Sequence, residues 1–406
     1  MTTHISSRSR RALALLLVLA GVLAACSGAD EEPSGDASED SGASEGGAVV
    51  APSSEGGSEA SGASLAGVCP DPVVIQLDWE PEAEHGGIYE LVGEGYEIDA
   101  DAKKVVGPLM ASGQDTGVDV EVRIGGSPIG FQPAEALLHQ DPNILLGFGR
   151  VAEMTATYAD LPTTAVMTTF EKSPYAIYWD PETYPDAQTI ADLSEDNVTI
   201  LAGSGSDVWK GWLVDEGIVT EAQLDSSDQP KPASFIAAGG RVAEAGFATA
   251  EPFLYEHEVA DQWGKPVRLQ LIHDAGFPEY FQAVNVRAED VEGQAECLEQ
   301  LVPILQQASV DFVADPGPTN ELIVELVEAY DTGWIYTPEA AEFAAGQMVE
   351  LEIVGNGSND TIGDFEEPRV QELIDIVGRV TDADVSGLTA EDLATNQFID
   401  QSIGLP

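Results

Sequence analysis

The sequence predicts a two-lobed α/β fold, with one lobe made of two separated chain segments and a second lobe inserted between them through two crossings. Three observations carry this. Strand-length apolar runs alternate with segments of helical spacing, the pattern of βαβ units in a parallel sheet covered by helices on both faces. The alternation comes in two sets, parted by "SPYAIYWDPE" at 173–182. The chain from residue 69 to 406 is also too long for one minimal core and long enough for two.

The N-terminus "MTTHISSRSRRALALLLVLAGVLAAC" reads as an export signal. Arg8, Arg10 and Arg11 supply a positive head, and residues 12–25 form an apolar stretch. At 1.5 Å per residue that stretch spans roughly 21 Å, short of the ~30 Å hydrocarbon core of a bilayer. Its end, "LAAC", resembles a bacterial lipobox, and the resemblance implies cleavage before Cys26 and lipid on the Cys26 thiol. An ordinary cleaved signal with an incidental cysteine is the alternative. "SRRALAL" is also similar to a twin-arginine signal, so the export route stays open. Residues 27–68 are a Ser, Gly, Ala, Asp, Glu and Pro spacer with no aromatic side chain. Such a segment buries too little apolar surface to offset its ordering entropy, and as a flexible coil it reaches roughly 35 Å. The expected boundaries are a signal at 1–26, the spacer at 27–68, lobe one at 69–175 and 279–406, and the inserted lobe two at 176–278.

Charge narrows the partners. The chain carries 72 acids against 16 Lys and Arg, a net of −56. Nucleic acid is excluded as a partner, since phosphate contacts need clustered cations. An acid excess of this size suits a solvated surface in salty surroundings, where repulsion is screened within ~3 Å at 1 M salt. After the lipobox only Cys69 and Cys297 remain. In an exported protein two cysteines suggest one disulfide, with two separate buried thiols as the alternative, and no cysteine is left for a metal.

Taken in order, "VVIQLDW", "VDVEVRI", "NILLGFG" and "TAVMTTF" read as strands, and "GGIYELVGEGY", "PAEALLHQ" and "RVAEMTATYA" have helical spacing. The second set is "NVTILAG", the helix-like "SDVWKGWLVDEG", "PASFIA" and "AGFATAEPFLYEHEVA". The chain returns through "KPVRLQLIHDAG" and "YFQAVNVRAE" and is then mainly helical, including the long segment at 289–314 and "PRVQELIDIVGRV". A cleft between such lobes lies at the carboxyl ends of the strands, where open α/β sheets take ligands.

That geometry bears on "LDWEPEAEHGGIY", residues 77–89, where a strand ends in Asp78 and Trp79 and His85 to Tyr89 open the next helix. The stretch resembles the start of solute-binding proteins of the nitrate, sulfonate and taurine type of ABC importer. It is most similar to the branch that binds thiamine pyrimidine precursors, which shares its fold with the yeast pyrimidine synthase. Weaker matches lie at "GG" 125–126, "SPYAI" 173–177, "GSGSD" 203–207, "AEPF" 250–253 and the terminal "TNQFI". The resemblance implies a periplasmic-binding-protein fold of type II with two lobes and a hinge. One departure stands out: where family members have a long amphipathic helix, this chain has the longer "EIDADAKKVVGPLMASGQDTG".

The candidate ligand residues are Asp78, Trp79, His85, Gly87, Tyr89, Gly125, Gly126, Ser204, Gly205, Ser206 and Glu251. The rings of Trp79 and Tyr89 can sandwich a planar heterocycle, or both can pack the lobe core. His85 can donate to or accept from a ring nitrogen, or serve the helix start. Gly86 and Gly87 allow close approach to a ligand, or relieve crowding against the helix. The "GSGSD" loop offers N–H groups and hydroxyls to an anionic or carbonyl group, or is a helix cap with a glycine turn. Glu251 can accept from an amino group, or occupy a first helical turn ahead of a proline. The set contains acids and no Lys or Arg, which favours a neutral or cationic ligand over an anion.

Two function classes remain. A lipid-anchored binding module on the outer face of the cytoplasmic membrane, monomeric and delivering a small planar heterocycle to an importer's permease, accounts for tether, lobes and cleft together. Binding of a sulfonate, nitrate, riboflavin or aromatic acid is the alternative within that class. An enzyme like the yeast synthase is the other class, but the cysteine-rich iron segment of that synthase has no counterpart here. A hydrolase fails too, because no G-x-S-x-G elbow appears. No cofactor, metal or catalytic residue is expected.

Overall fold

In this computed structural model residues 64–203, 208–227 and 231–406 are described. The chain enters with β1 (Val73–Gln76), a 3-10 turn at Ala83–His85 and a single helical turn, α1 (Gly86–Tyr89). An antiparallel meander comes next: β2 (Glu97–Asp99), β3 (Lys104–Ala111) and β4 (Gln114–Arg123). Then come α2 (Ala134–Gln140), β5 (Ile144–Gly149), α3 (Val151–Thr157) and β6 (Thr163–Thr168). The second set runs β7 (Tyr175–Trp179), α4 (Ile190–Glu195), β8 (Ile200–Leu201), α5 (Val208–Asp215), β9 (Leu224–Asp225), α6 (Pro232–Ala238), β10 (Ala243–Phe247), α7 (Glu251–Phe253) and β11 (Arg268–Leu271). The return strand is β12 (Ala283–Arg287), succeeded by α8 (Ala295–Ala314), α9 (Gly317–Tyr330), α10 (Pro338–Glu350), α11 (Glu367–Val380) and α12 (Ala390–Leu393).

Two sheets result. The first has the order β2-β3-β4-β1-β5-β12-β6, and the second the order β11-β7-β10-β8-β9. Segments on both sides of residues 175–271 therefore contribute to the first sheet, and the second sheet is made wholly within that span. The connections between the sheets are 169–174 and 272–282. Both sheets are mixed, which corrects the expectation of parallel sheets. β1 is parallel to β4 and β5, whereas β12 runs antiparallel to β5 and β6, and β7 is antiparallel to β10 and β11.

Local chemistry explains the main elements. β5 reads "ILLGFG" and is buried at every residue, as a strand in the middle of a covered sheet must be. Glycine suits its end: a Cβ at Gly149 would sit 2.1 Å from Glu135 Oε1. α4 is started by a capping box in which Thr189 and Asp192 exchange side-chain and backbone bonds.

The segment after Tyr89 differs from its helical reading. The helix stops after one turn, Gly95 takes a φ of 89°, and a Cβ at Gly93 would fall 2.6 Å from Met110 Sδ. Beyond the turn the burial has period two, with Val105, Gly107 and Leu109 buried on one face of β3. A β-ribbon thus stands where the resemblance implies a long helix.

Cys69 and Cys297 form a disulfide with Cα atoms 4.8 Å apart, joining the entry to β1 with α8. Both belong to the core of the first sheet, which α8 and α9 cover. A second core gathers α3, α4, α5 and α11 around β7, β8 and β10. α11 touches both α3 and α5, so the C-terminal helices expected with lobe one also cover lobe two. The terminal "TNQFI" is a structural tie: Thr395 N–H donates to the Ala165 carbonyl at 2.9 Å, and Asn396 bonds Phe365 through both N–H and carbonyl at 2.8 Å. Among the described residues no helix is long and apolar enough to cross a membrane.

Candidate functional site between the lobes

β1, β4 and β5 run parallel and end at one edge, facing the two connections. Asp78 and Trp79 succeed β1, Gly125 and Gly126 succeed β4, and Arg150 succeeds β5. The glycine pair lies against the other two residues. Gly125 N–H donates to the Trp79 carbonyl at 2.8 Å, a Cβ on Gly125 would meet the Asp78 carbonyl carbon at 2.3 Å, and one on Gly126 would press on the Trp79 ring at 3.3 Å. Their role here is to let two strand ends meet, the close-approach use of glycine.

His85 is buried. Its Nε2 lies 2.8 Å from Asp78 Oδ1 and 3.2 Å from Gln282 Nε2. Gln282 in turn accepts from Thr169, so His85 joins a strand end to both connections. That makes it a positioning residue behind the cleft. Tyr89 packs in the first core, and Gly87 meets α8, where a Cβ would lie 2.8 Å from Ser309 Oγ. Tyr89 is thus a packing residue of a one-turn helix pressed on α8, and Gly87 lines, with Glu84 and His85, a small cavity closed by Ser309 and Phe312 of α8. Trp79 stays at the rim, within ring contact of Phe131 at 5.8 Å and Trp334 at 6.2 Å.

Glu251 sits on the lobe-two side. Its Oε2 accepts from Phe247 N–H at 2.6 Å, and burial pushes its pKa up to about 7. Its carboxylate neighbours across the cleft are Glu82 and Glu84, and no described hydrogen bond or ring contact joins it to Trp79. Ser204, Gly205, Ser206 and Cys26 lie outside the described residues.

The structure adds a group of residues that sequence reasoning passed over. Arg150, Glu153, Ser173, Tyr175, Trp209, Glu279 and Phe281 line a small cavity between α3, the N-terminus of α5 and the two connections. Tyr175 contacts the rings of Trp209 at 5.7 Å and Phe281 at 6.0 Å, while the Arg150 guanidinium lies 5.4 Å from the Phe281 ring centre and pairs with Glu153 at 2.6 Å. Glu279 is buried, accepts from Ala152 N–H at 3.1 Å, and is pushed up to about 8 by burial and then by the charge of Glu153. Arg150 adds a cation to candidate residues that contained acids and no Lys or Arg. Its signal was in the sequence: it comes directly after the apolar run "ILLGFG", so it stands at a strand's carboxyl end. A wall of this kind can hold a planar ring between aromatic faces and meet polar edges with a buried carboxyl or a guanidinium. Among the described residues no His, Cys, Asp and Glu group could hold a metal ion.

No protein-family model matches this chain, and no curated protein matches it. Solved structures do. The periplasmic aliphatic sulphonate-binding protein SsuA of Escherichia coli superposes with a TM-score of 0.51 at 12% identity, over 83% of this chain and 94% of that one. A putative sulfonate-binding SsuA of Methylobacillus flagellatus gives 0.48 at 14% identity, over 81% and 93%. The periplasmic nitrate-binding protein NrtA of Synechocystis gives 0.43 at 12%, over 81% and 92%. At 12% identity the likeness to the Escherichia coli protein is one of fold. The chain has the two-lobed periplasmic-binding-protein fold, its lobes joined by two connections.

Proposed function

We propose that this chain is the solute-binding protein of an ABC importer, held by lipid at Cys26 on the outer face of the cytoplasmic membrane and acting as a monomer that presents its ligand to a permease. The domain boundaries at 175 and 278 belong to the same reading, since they fall near the two connections. The ligand we propose is a small planar nitrogen heterocycle, of the size of a thiamine pyrimidine precursor. The observation that supports this most is the cleft wall of Tyr175, Trp209 and Phe281 beside the buried carboxyl of Glu279. Three rings suit a flat ligand, and a carboxyl held protonated near neutral pH can both donate to and accept from ring nitrogens and amino groups. Trp79 and Glu251 stay in the proposal as rim and lobe-two contacts.

Arg150 favours a second reading. A guanidinium at the carboxyl end of β5 suits a sulfonate, the ligand class that the Escherichia coli protein of the same fold is named for, or nitrate. Isothermal titration with aminopyrimidines, taurine and nitrate separates the two. Saturable aminopyrimidine binding with unmodified ligand recovered supports the first. Binding of either anion alone sinks it, and a released product points to an enzyme.

A further inference from the structure

Glu84 and Thr249 stand on opposite lobes. Glu84 belongs to the 3-10 turn after β1, Thr249 to the segment between β10 and α7, and the Thr249 hydroxyl donates to Glu84 Oε1. The other oxygen, Oε2, is buried without a partner, and the residue is 6% exposed. Around it face Glu82, Asp78 and His85 from its own segment, Glu251 from lobe two, and the Tyr336 hydroxyl, which accepts from Ala83 N–H at 3.0 Å. Glu251 also faces Glu244, which is bonded to Tyr255 at 2.7 Å. No Lys or Arg is among these groups. Three carboxyls, those of Glu82, Glu84 and Glu251, therefore meet across the gap.

We infer that Glu84 and Thr249 form a proton-controlled latch between the lobes: protonated, the facing carboxyls let the lobes hold together, and ionised, they force them apart. The chemistry is a competition between one hydrogen bond across the gap and the cost of burying like charges without counterions. Burial raises the pKa of Glu84. It also raises that of Glu82 well above the usual range, with the charges of Glu84, Asp78, Glu251 and Glu80 adding to it. With the lobes parted, all three carboxyls return to water. The joined state then binds more protons than the parted one, so acid favours joining. The transition therefore lies above the ordinary carboxylate value of 4.5.

Small-angle scattering of the ligand-free mature protein in 1 M NaCl tests this, the salt screening the general acid excess. The radius of gyration is expected to rise as pH goes from 5 to 8. Glu84→Gln keeps an acceptor for Thr249 without its charge and should move the midpoint upward by a pH unit or more. Thr249→Val should leave the protein extended at pH 5 as well, with circular dichroism confirming that both variants fold. An unchanged radius across the range, or two variants that track the parent, overturns the latch. Neither result depends on any ligand, so the binding proposal is tested separately.

Discussion

Thr169 and Gln282, one on each connection between the lobes, are bonded three ways. Thr169 N–H donates to the Gln282 carbonyl at 3.0 Å, and its hydroxyl lies 3.1 Å from both that carbonyl and Oε1 of the same residue. Both residues are buried. The pair fixes the spacing of the hinge strands and, through Gln282 and His85, relates that spacing to Asp78 at the end of β1.

Thr169→Val keeps the shape of the side chain and deletes the hydroxyl, leaving Gln282 Oε1 without that donor. Loss of a buried bond of this kind costs about 1–3 kcal/mol. Urea denaturation should show that loss with an unchanged slope. A variant as stable as the parent would mean that the backbone bond alone sets the hinge.

The two readings of the cleft make opposite demands on Arg150. For a heterocycle held by rings, Trp209→Ala should weaken binding tenfold or more, about 1.4 kcal/mol per tenfold, and Arg150→Gln should change it little. For an anion the order reverses. Titration of both variants with the tightest ligand of the panel decides between them.

Stability should fall as pH rises. Burial pushes Glu135 and Glu251 up to about 7 and Glu279 to about 8, from an ordinary 4.5. A carboxyl whose pKa rises on folding is bound more tightly to its proton in the folded state. Its contribution is whole below pH 4.5 and lost as pH climbs through the folded value. The melting temperature should therefore drop between pH 5 and 8.5, and Glu279→Gln should shrink the part of that drop above pH 6.5. A melting temperature that holds level or rises would contradict this.

Salt should act the other way. With a net charge of −56, self-repulsion opposes compaction. Raising NaCl to about 1 M shortens the screening length to ~3 Å, and the melting temperature should rise with it. If it stays flat, the acidic surface is no salt adaptation.

Much of the architecture was legible because strands in a covered sheet are written as unbroken apolar runs. β1, β5 and most of β6 fall within segments read as strands, β4 overlaps the alternating "VDVEVRI", β12 lies in the return segment "YFQAVNVRAE", and α8 and α11 have plain helical spacing. The stretch after Tyr89 was not legible, because "GGIYELVGEGY" spaces its apolar residues as a helix would. Only the pairing of 97–111 with its neighbours, a long-range event, decides for a ribbon. The site was read less well than the fold. Asp78 and Trp79 stand at the end of β1 and Glu251 faces Glu82 and Glu84, whereas Tyr89 packs in the first core through contacts far away in the chain. Trp209 and Glu279 carry no local mark that separates a cleft wall from a core; only tertiary packing distinguishes them.

The bridge between Cys69 and Cys297 has a mechanical meaning. Leu65 is already pinned to the first sheet, its N–H donating to the Thr116 carbonyl at 2.9 Å, and four residues later the disulfide bolts the chain to α8. A pull arriving from the N-terminal side is thus borne by the seven-stranded body before it reaches β1. The two connections at 169–174 and 272–282 lie beyond that clamp in the chain. In the tethered protein proposed above, the first body would then be the mounting and the second the moving jaw.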